Sequence, residues 1–407
     1  MAAEEEIHST HLRNKPLIII FTVLVLIGFV SFMLGLLGKH PQRAWQAYLI
    51  NFLLWSAISQ GGLLFSAVMH ITKARWGYPL RGLSESFAAF FPISFVLFLL
   101  LFLGSDYIFP WLHYDLHGKE AWLNLPFLFS RDFIGLFILY GLGFAYLYYA
   151  LRLRQKHIEP RGRICCFLLK RWSRSQRDQQ WCQNRMNLFS VLYIMAYALV
   201  LTLIAFDLVM SMEPHWVSTL FGPYYFVKAF YIGLGALIIL ASISRLSQGK
   251  RSGLSSAQFH DVGKLFFAFC ILWGDFFYCQ LVVIWYGNIS EETSYIIQRV
   301  MILPWKDLAW AVFGLGFLIP FVILLNQKIK TRPVMMIILC SAVLFGMWLE
   351  NLLLLGPALN HNVTSLPLDF WDGLITLGFF GLMAMAVTGF LTLFPQAALA
   401  QTQGVNG

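Results

Sequence analysis

The chain has 407 residues, 58% of them hydrophobic and only 12% charged, about half the charged share of a soluble domain. This composition excludes a water-soluble enzyme, and the apolar runs that nearly fill the chain leave no room for an appended soluble catalytic domain. The net charge of +9 invites a nucleic-acid reading, which the placement of Lys and Arg in short alternating loops rejects.

The first apolar run, near 17–38, is long enough to span ~30 Å of hydrocarbon. It has no small-x-small cleavage site, so it reads as a retained helix rather than a secretory signal. Runs near 46–70, 87–109, 132–151 and 188–211 follow, then 223–244, 262–286, 307–326, 333–355 and 371–394. Ten such runs predict an all-α integral membrane protein of one polytopic domain. The stretch 105–131 between the third and fourth runs carries Tyr107, Trp111, Tyr114 and Trp122, aromatics suited to headgroup depth. Spans two to five and six to nine are expected to form two four-helix bundles, flanked by the first and tenth helices.

Orientation follows from the basic residues. One set of faces carries 21 Lys and Arg, ten of them in the loop 152–187, and the opposite set carries 6. The positive-inside rule then places both termini and that loop in the cytoplasm. The loop is also suited to anionic lipid headgroups. Of six cysteines, Cys165, Cys166 and Cys182 fall in the loop, and Cys270, Cys279 and Cys340 in apolar helices. They form no CxxC, CxxCH or zinc spacing.

Ionisable residues at membrane depth cost roughly 2.5–3.5 kcal/mol each unless paired or wetted. The candidates for a proton path are Asp207, Lys228, Asp275, Glu350, Asp307 and His70. Asp207 closes the fifth run and Lys228 opens the sixth, so an Asp207–Lys228 ion pair is expected. Asp275, Glu350 and Asp307 fall in the periplasmic half, the pattern of a proton half-channel opening to that side. The competing reading is a set of structural pairs that lock helices together. His70 reads as an interfacial hydrogen-bonding residue, and Asp261 with Lys264 as a local pair. A transmembrane b-haem needs two ligands at matched depth, and only His70 lies clearly in a run. His113 and His117 lack a third ligand at a convincing distance. GxxxxGK[ST], HExxH and GxSxG are absent, so no catalytic, cofactor-binding or metal residues are assigned. The prolines cluster at span ends, Pro320 among them, so no midplane unwinding of the transporter type is expected.

Three stretches carry a family resemblance. They are HITKARWGYPLR at 70–81, followed by Glu85; FDLVMSMEPHWVSTLFG at 206–222; and DVGKLFFAF at 261–269, continued by QLVVIWYGNISEET at 280–293. Together they resemble the ActF membrane component of bacterial alternative complex III, within the NrfD/polysulfide-reductase membrane-subunit superfamily. The resemblance implies a bacterial inner-membrane subunit that is no enzyme on its own and holds no cofactor. Its complex would oxidise quinol and pass electrons to a cytochrome or an oxidase. The implied partners are a paralogous quinol-binding membrane subunit, an iron–sulfur subunit and multihaem cytochrome c subunits, which would carry the haem c and the clusters. Lipids complete the set, and no nucleic acid is implied. The implied role is to scaffold the complex, with proton conduction as a candidate. Of the membrane-depth charges only Asp207 lies inside a matching motif. Two alternatives stay open: a quinol site in this chain with His215 or Asp207 as the contact, and a stand-alone secondary transporter.

Overall fold

The computed structural model describes residues 2–113, 116, 118–154, 176–360 and 363–395. Every regular element among these residues is helical. Ten helices are long and apolar enough to cross a membrane: Pro16–Leu37, Pro41–Ile71, Arg75–Ile108, Leu125–Arg154, Arg177–Met212, Phe221–Gln248, Ser256–Gly287, Trp305–Leu325, Pro333–Leu359 and Phe370–Leu393. All ten expected spans are present, so the chain is a multi-pass membrane protein. Several of them begin earlier than hydropathy suggests, the third at Arg75 rather than near 87. The fourth starts at Leu125 rather than near 132, and the fifth at Arg177 rather than near 188. Cys165, Cys166, His117 and the middle of the 152–187 loop lie outside the described residues.

The second span is the spine. Within its most apolar window 89% of residues are buried, against 11% for the first span. It packs on the third and fifth spans, and also on the sixth, ninth and tenth. The fourth and fifth spans pair closely, and the sixth packs on the seventh and ninth with the eighth lying on the ninth. This arrangement makes two four-helix groups that meet where the second and sixth spans cross. The crossing is backbone on backbone: a Cβ on Gly61 would collide with the Ala229 carbonyl, and one on Gly233 with the backbone of Gly61. Small residues permit that approach where lipid supplies no hydrophobic drive for helix association. The first and tenth spans pack chiefly on each other.

Two spans are irregular for local reasons. The third is broken into Tyr78–Glu85 and Phe91–Leu101 joined by the 3-10 turn Ser86–Phe90, with Pro79 and Pro92 opening the two helical pieces. In the eighth span Pro320 offers no N–H to the carbonyl four residues back, that of Gly316. The chain answers with a π turn over Gly314–Leu318, and the freed carbonyl accepts from the Tyr231 hydroxyl at 3.1 Å and from the Cys270 thiol at 3.8 Å. The π turn lies near the middle of the span, yet the helix runs continuously through it from Trp305 to Leu325, so the span is not unwound at Pro320. Neighbouring helices satisfy the backbone group that lipid could not.

Candidate functional site

Charged and polar side chains inside this apolar frame gather at three levels. At the end opposite the basic loops, the fifth span delivers Asp207 two residues before its closing turn. The early start of the fourth span puts Arg131 and Asp132 in regular helix at the same depth. Arg131 grips Asp207 with a two-pronged bond, Nε to Oδ2 and Nη2 to Oδ1, both 2.5 Å. Trp122 Nε1 also donates to Oδ1, at 3.2 Å. The guanidinium carbon lies 3.9 Å from the centre of the Trp122 ring, a favourable stacking for a partly desolvated arginine. The fully buried Asp132 carboxyl lies against Asp207. Neither of its oxygens receives an N–H or O–H of the described residues, so a bond between the two carboxyls requires one shared proton.

The expected Asp207–Lys228 pair is therefore not formed. Arg131, a loop charge if the fourth span begins at 132, is a helical residue with a fork that matches a carboxylate. Lys228 instead reaches the ninth span. Its Nζ donates to Asn351 Oδ1 at 2.9 Å and lies 3.3 Å from Glu350 Oε2. The Lys228 and Glu350 side chains are 2% and 0% exposed, so the pair is fully desolvated. Asn351 Nδ2 donates in turn to the Ile50 carbonyl of the second span, at 3.2 Å. Glu350 Oε1 has no hydrogen-bond partner among the described residues. The cluster sits where the two bundles meet, ~10–14 Å of helical rise from the nearer span ends.

The third level lies towards the basic end, inside the first bundle. Arg154 Nη2 donates to Glu85 Oε1 at 2.9 Å, and its Nη1 lies 2.8 Å from Oε2. Ser66 donates to Glu85 at 2.9 Å and shares a 2.8 Å bond with the Tyr146 hydroxyl. One step deeper, Gln60 Nε2 donates to the Tyr140 hydroxyl at 3.0 Å, which bonds Ser94 at 2.8 Å. Tyr193 donates to the Gln60 carbonyl at 3.0 Å. At the mouth, His70 Nε2 and Asn187 Oδ1 are 2.6 Å apart, which makes His70 the hydrogen-bonding residue expected of it. In the sequence Glu85 stands out only as part of a motif, and Arg154 only as a loop charge. The signal available was the spacing of Arg81 and Glu85, i and i+4 on a short helix, together with a glutamine amid the apolar second run.

The remaining candidates are not brought to these clusters. Asp275, Asp307 and His215 are on the outer surface of the chain, and Asp275 accepts only a weak contact from the Cys279 thiol, at 3.8 Å. Asp261 and Lys264 form the expected local pair, at 3.4 Å and exposed. Sequence reasoning also missed Arg299, on the short helix Ser290–Val300. It is buried over the Tyr295 ring, 3.4 Å from Glu213, and donates to the Leu354 carbonyl at 2.9 Å. Burial pushes the Tyr295 hydroxyl above its ordinary pKa. Beside it lies an apolar cavity of ≈ 240 Å³, lined by Tyr224, Phe277, Gln280, Tyr295, Arg299 and Phe313 among others. Tyr224 Oη, Gln280 Nε2 and Arg299 Nε are buried there without a hydrogen-bond partner among the described residues.

Comparison with the curated proteins finds no relative that matches. The family model described as polysulphide reductase, NrfD, matches residues 35–362. That match takes in the second to ninth spans, eight of the ten among the described residues, and all three levels of buried charge, so the chain belongs to the NrfD polysulphide reductase family of membrane proteins.

Proposed function

We propose that this chain is a cofactor-free integral component of a quinol-oxidising respiratory complex of the alternative complex III kind, in the bacterial inner membrane. It scaffolds the complex and conducts protons along the second span. The observation that carries the reading is the series of buried polar groups on that spine. From half-buried His70 at the basic end, the buried Ser66, Gln60 and Asn51 descend towards the Lys228–Glu350 pair, with Glu85, Tyr146 and Tyr140 as side rungs. Steps of six and nine residues between rungs correspond to ~9–13 Å, lengths that short water chains bridge. A proton arriving at the pair is taken by Glu350, whose Oε1 is free of other hydrogen bonds among the described residues. Neutralising Glu350 leaves the Lys228 charge unpaired at membrane depth, which favours release of the proton to the next group. Arg131 holds Asp207 and the shared proton with Asp132 at the far exit.

Purification from native membranes in mild detergent tests the respiratory assignment. An iron–sulfur protein, multihaem cytochrome c subunits and a larger paralogous membrane subunit should arrive in one particle. A chain that arrives alone and colourless, from membranes fully competent in quinol oxidation, would instead favour a secondary transporter. The proton path is tested in reconstituted vesicles. Glu350→Gln and Gln60→Leu should lower the protons moved per quinol severalfold while quinol oxidation continues. Unchanged coupling in both leaves the chain a scaffold. Loss of coupling in Asp275→Asn or Asp307→Asn would move the path to the outer surface.

One observation favours a second reading, quinol binding in this chain itself. The aromatic cavity beside Arg299 offers apolar walls and three polar atoms without a partner among the described residues, which suits a quinone ring better than exposed His215 or the locked Asp207. Quinone retained after removal of the paralogue, and lost in Gln280→Leu, would support it.

A further inference from the structure

The basic end of the first bundle encloses a cavity of ≈ 610 Å³ between the second, third, fourth and fifth spans. Its lining includes His70, Lys73, Arg75, Arg81, Arg154 and Asn184. Four of these are permanent cations, and no carboxylate among the described residues lines the cavity. Glu85 lies behind the wall, where it pairs with Arg154 and shares the Ser66 hydroxyl with Arg81, and one carboxylate cannot offset four cations. Arg81, half-buried, donates to the neutral hydroxyls of Ser66 and Tyr146, at 3.4 and 3.3 Å. Lys73 and Arg75 stand exposed at the rim. Like charges gathered around one cavity repel unless an anion enters it.

The backbone gives a second, independent indication. Lys73 follows the end of the second span with φ at 53°, in the left-handed region. Its N–H bonds the His70 carbonyl and the next N–H bonds that of Met69, a helix-ending motif in which glycine is the unstrained residue. A lysine at this position carries backbone strain that a glycine would avoid, and its side chain lines the cavity.

We infer that this cavity binds a phosphorylated anion, through Arg81 at depth and Lys73 and Arg75 at the rim. A phosphate group has several acceptor oxygens and matches guanidinium forks, whereas a single carboxylate would leave most of these cations uncompensated. The volume accommodates more than a bare ion and suits a phospholipid headgroup or a phosphorylated solute. The inference is independent of the respiratory assignment.

The test uses the full chain purified in a neutral detergent, with thermal stability and equilibrium binding as readouts. The probes are dihexanoyl phosphatidylglycerol, glycerol 3-phosphate and zwitterionic dihexanoyl phosphatidylcholine. Binding of the first alone identifies a lipid headgroup, and equal binding of the first two identifies a soluble phosphate ester. Lys73→Gly should raise the melting temperature of the unliganded chain by relieving the backbone, yet weaken binding about three- to tenfold, and Arg75→Gln should weaken binding similarly. No binding of either anionic probe, or binding unmoved in both variants, overturns the proposal.

Discussion

Arg131–Asp207 and Lys228–Glu350 are ion pairs taken almost wholly out of water, and the physics of such pairs sets what their loss would do. Removing one partner leaves an unpaired buried charge and costs about 3–5 kcal/mol, while replacing both with groups of similar volume is close to neutral. Lys228→Met should therefore lower the unfolding free energy in detergent by about that much. The double variant Lys228→Met with Glu350→Gln should recover most of the loss. A double variant no better than the single would mean that Asn351, rather than Glu350, holds the lysine in place. The need for a partner was legible in the sequence, because a lone aspartate or lysine at this depth is too costly to persist. Which partner was not legible. Counting residues from a span end fixes depth, but azimuth around the helix decides which neighbour a side chain meets. Arg131 was further hidden because its span begins at Leu125, a full two turns before the apolar run that marks it.

At the level of helices, hydropathy and length located all ten spans, since each must bury about the same run of apolar residues. The breaks within them were harder to see. Pro320 is plain in the sequence, but its consequence depends on Tyr231 and Cys270, which only folding brings alongside. Tyr231→Phe removes the hydroxyl that satisfies the Gly316 carbonyl and should cost roughly 1–3 kcal/mol, read as a lower melting temperature with unchanged helix content. The crossing of the second and sixth spans was equally hidden, because two glycines among many do not announce a contact. Gly61→Leu or Gly233→Leu would push backbone from backbone. Either variant should lose the monodisperse folded species in size-exclusion chromatography, whereas Gly141→Leu, with open space about it, should not.

For the molecule as a whole, the distribution of basic residues predicts which end faces the cytoplasm. With the native cysteines replaced by serine, an impermeant thiol reagent should label Glu291→Cys in intact spheroplasts and Lys328→Cys only after the membrane is opened. The reverse pattern would invert the topology and with it the direction of the proposed proton path. The pairing of the first span with the tenth bears on something else, the order in which the protein is made. The two touch through the backbones of Gly28 and Gly378, residues 350 positions apart. At ~5–20 residues per second of synthesis, the first helix waits roughly 20–70 s in the bilayer before its chief partner emerges. During that interval it is a lone lipid-facing helix, held to the nascent bundle mainly by a short turn into the second span. Quality-control proteases would meet it in that state, so a ribosome stalled before residue 370 should yield a chain degraded from its first helix, with the second span and its buried rungs outlasting it.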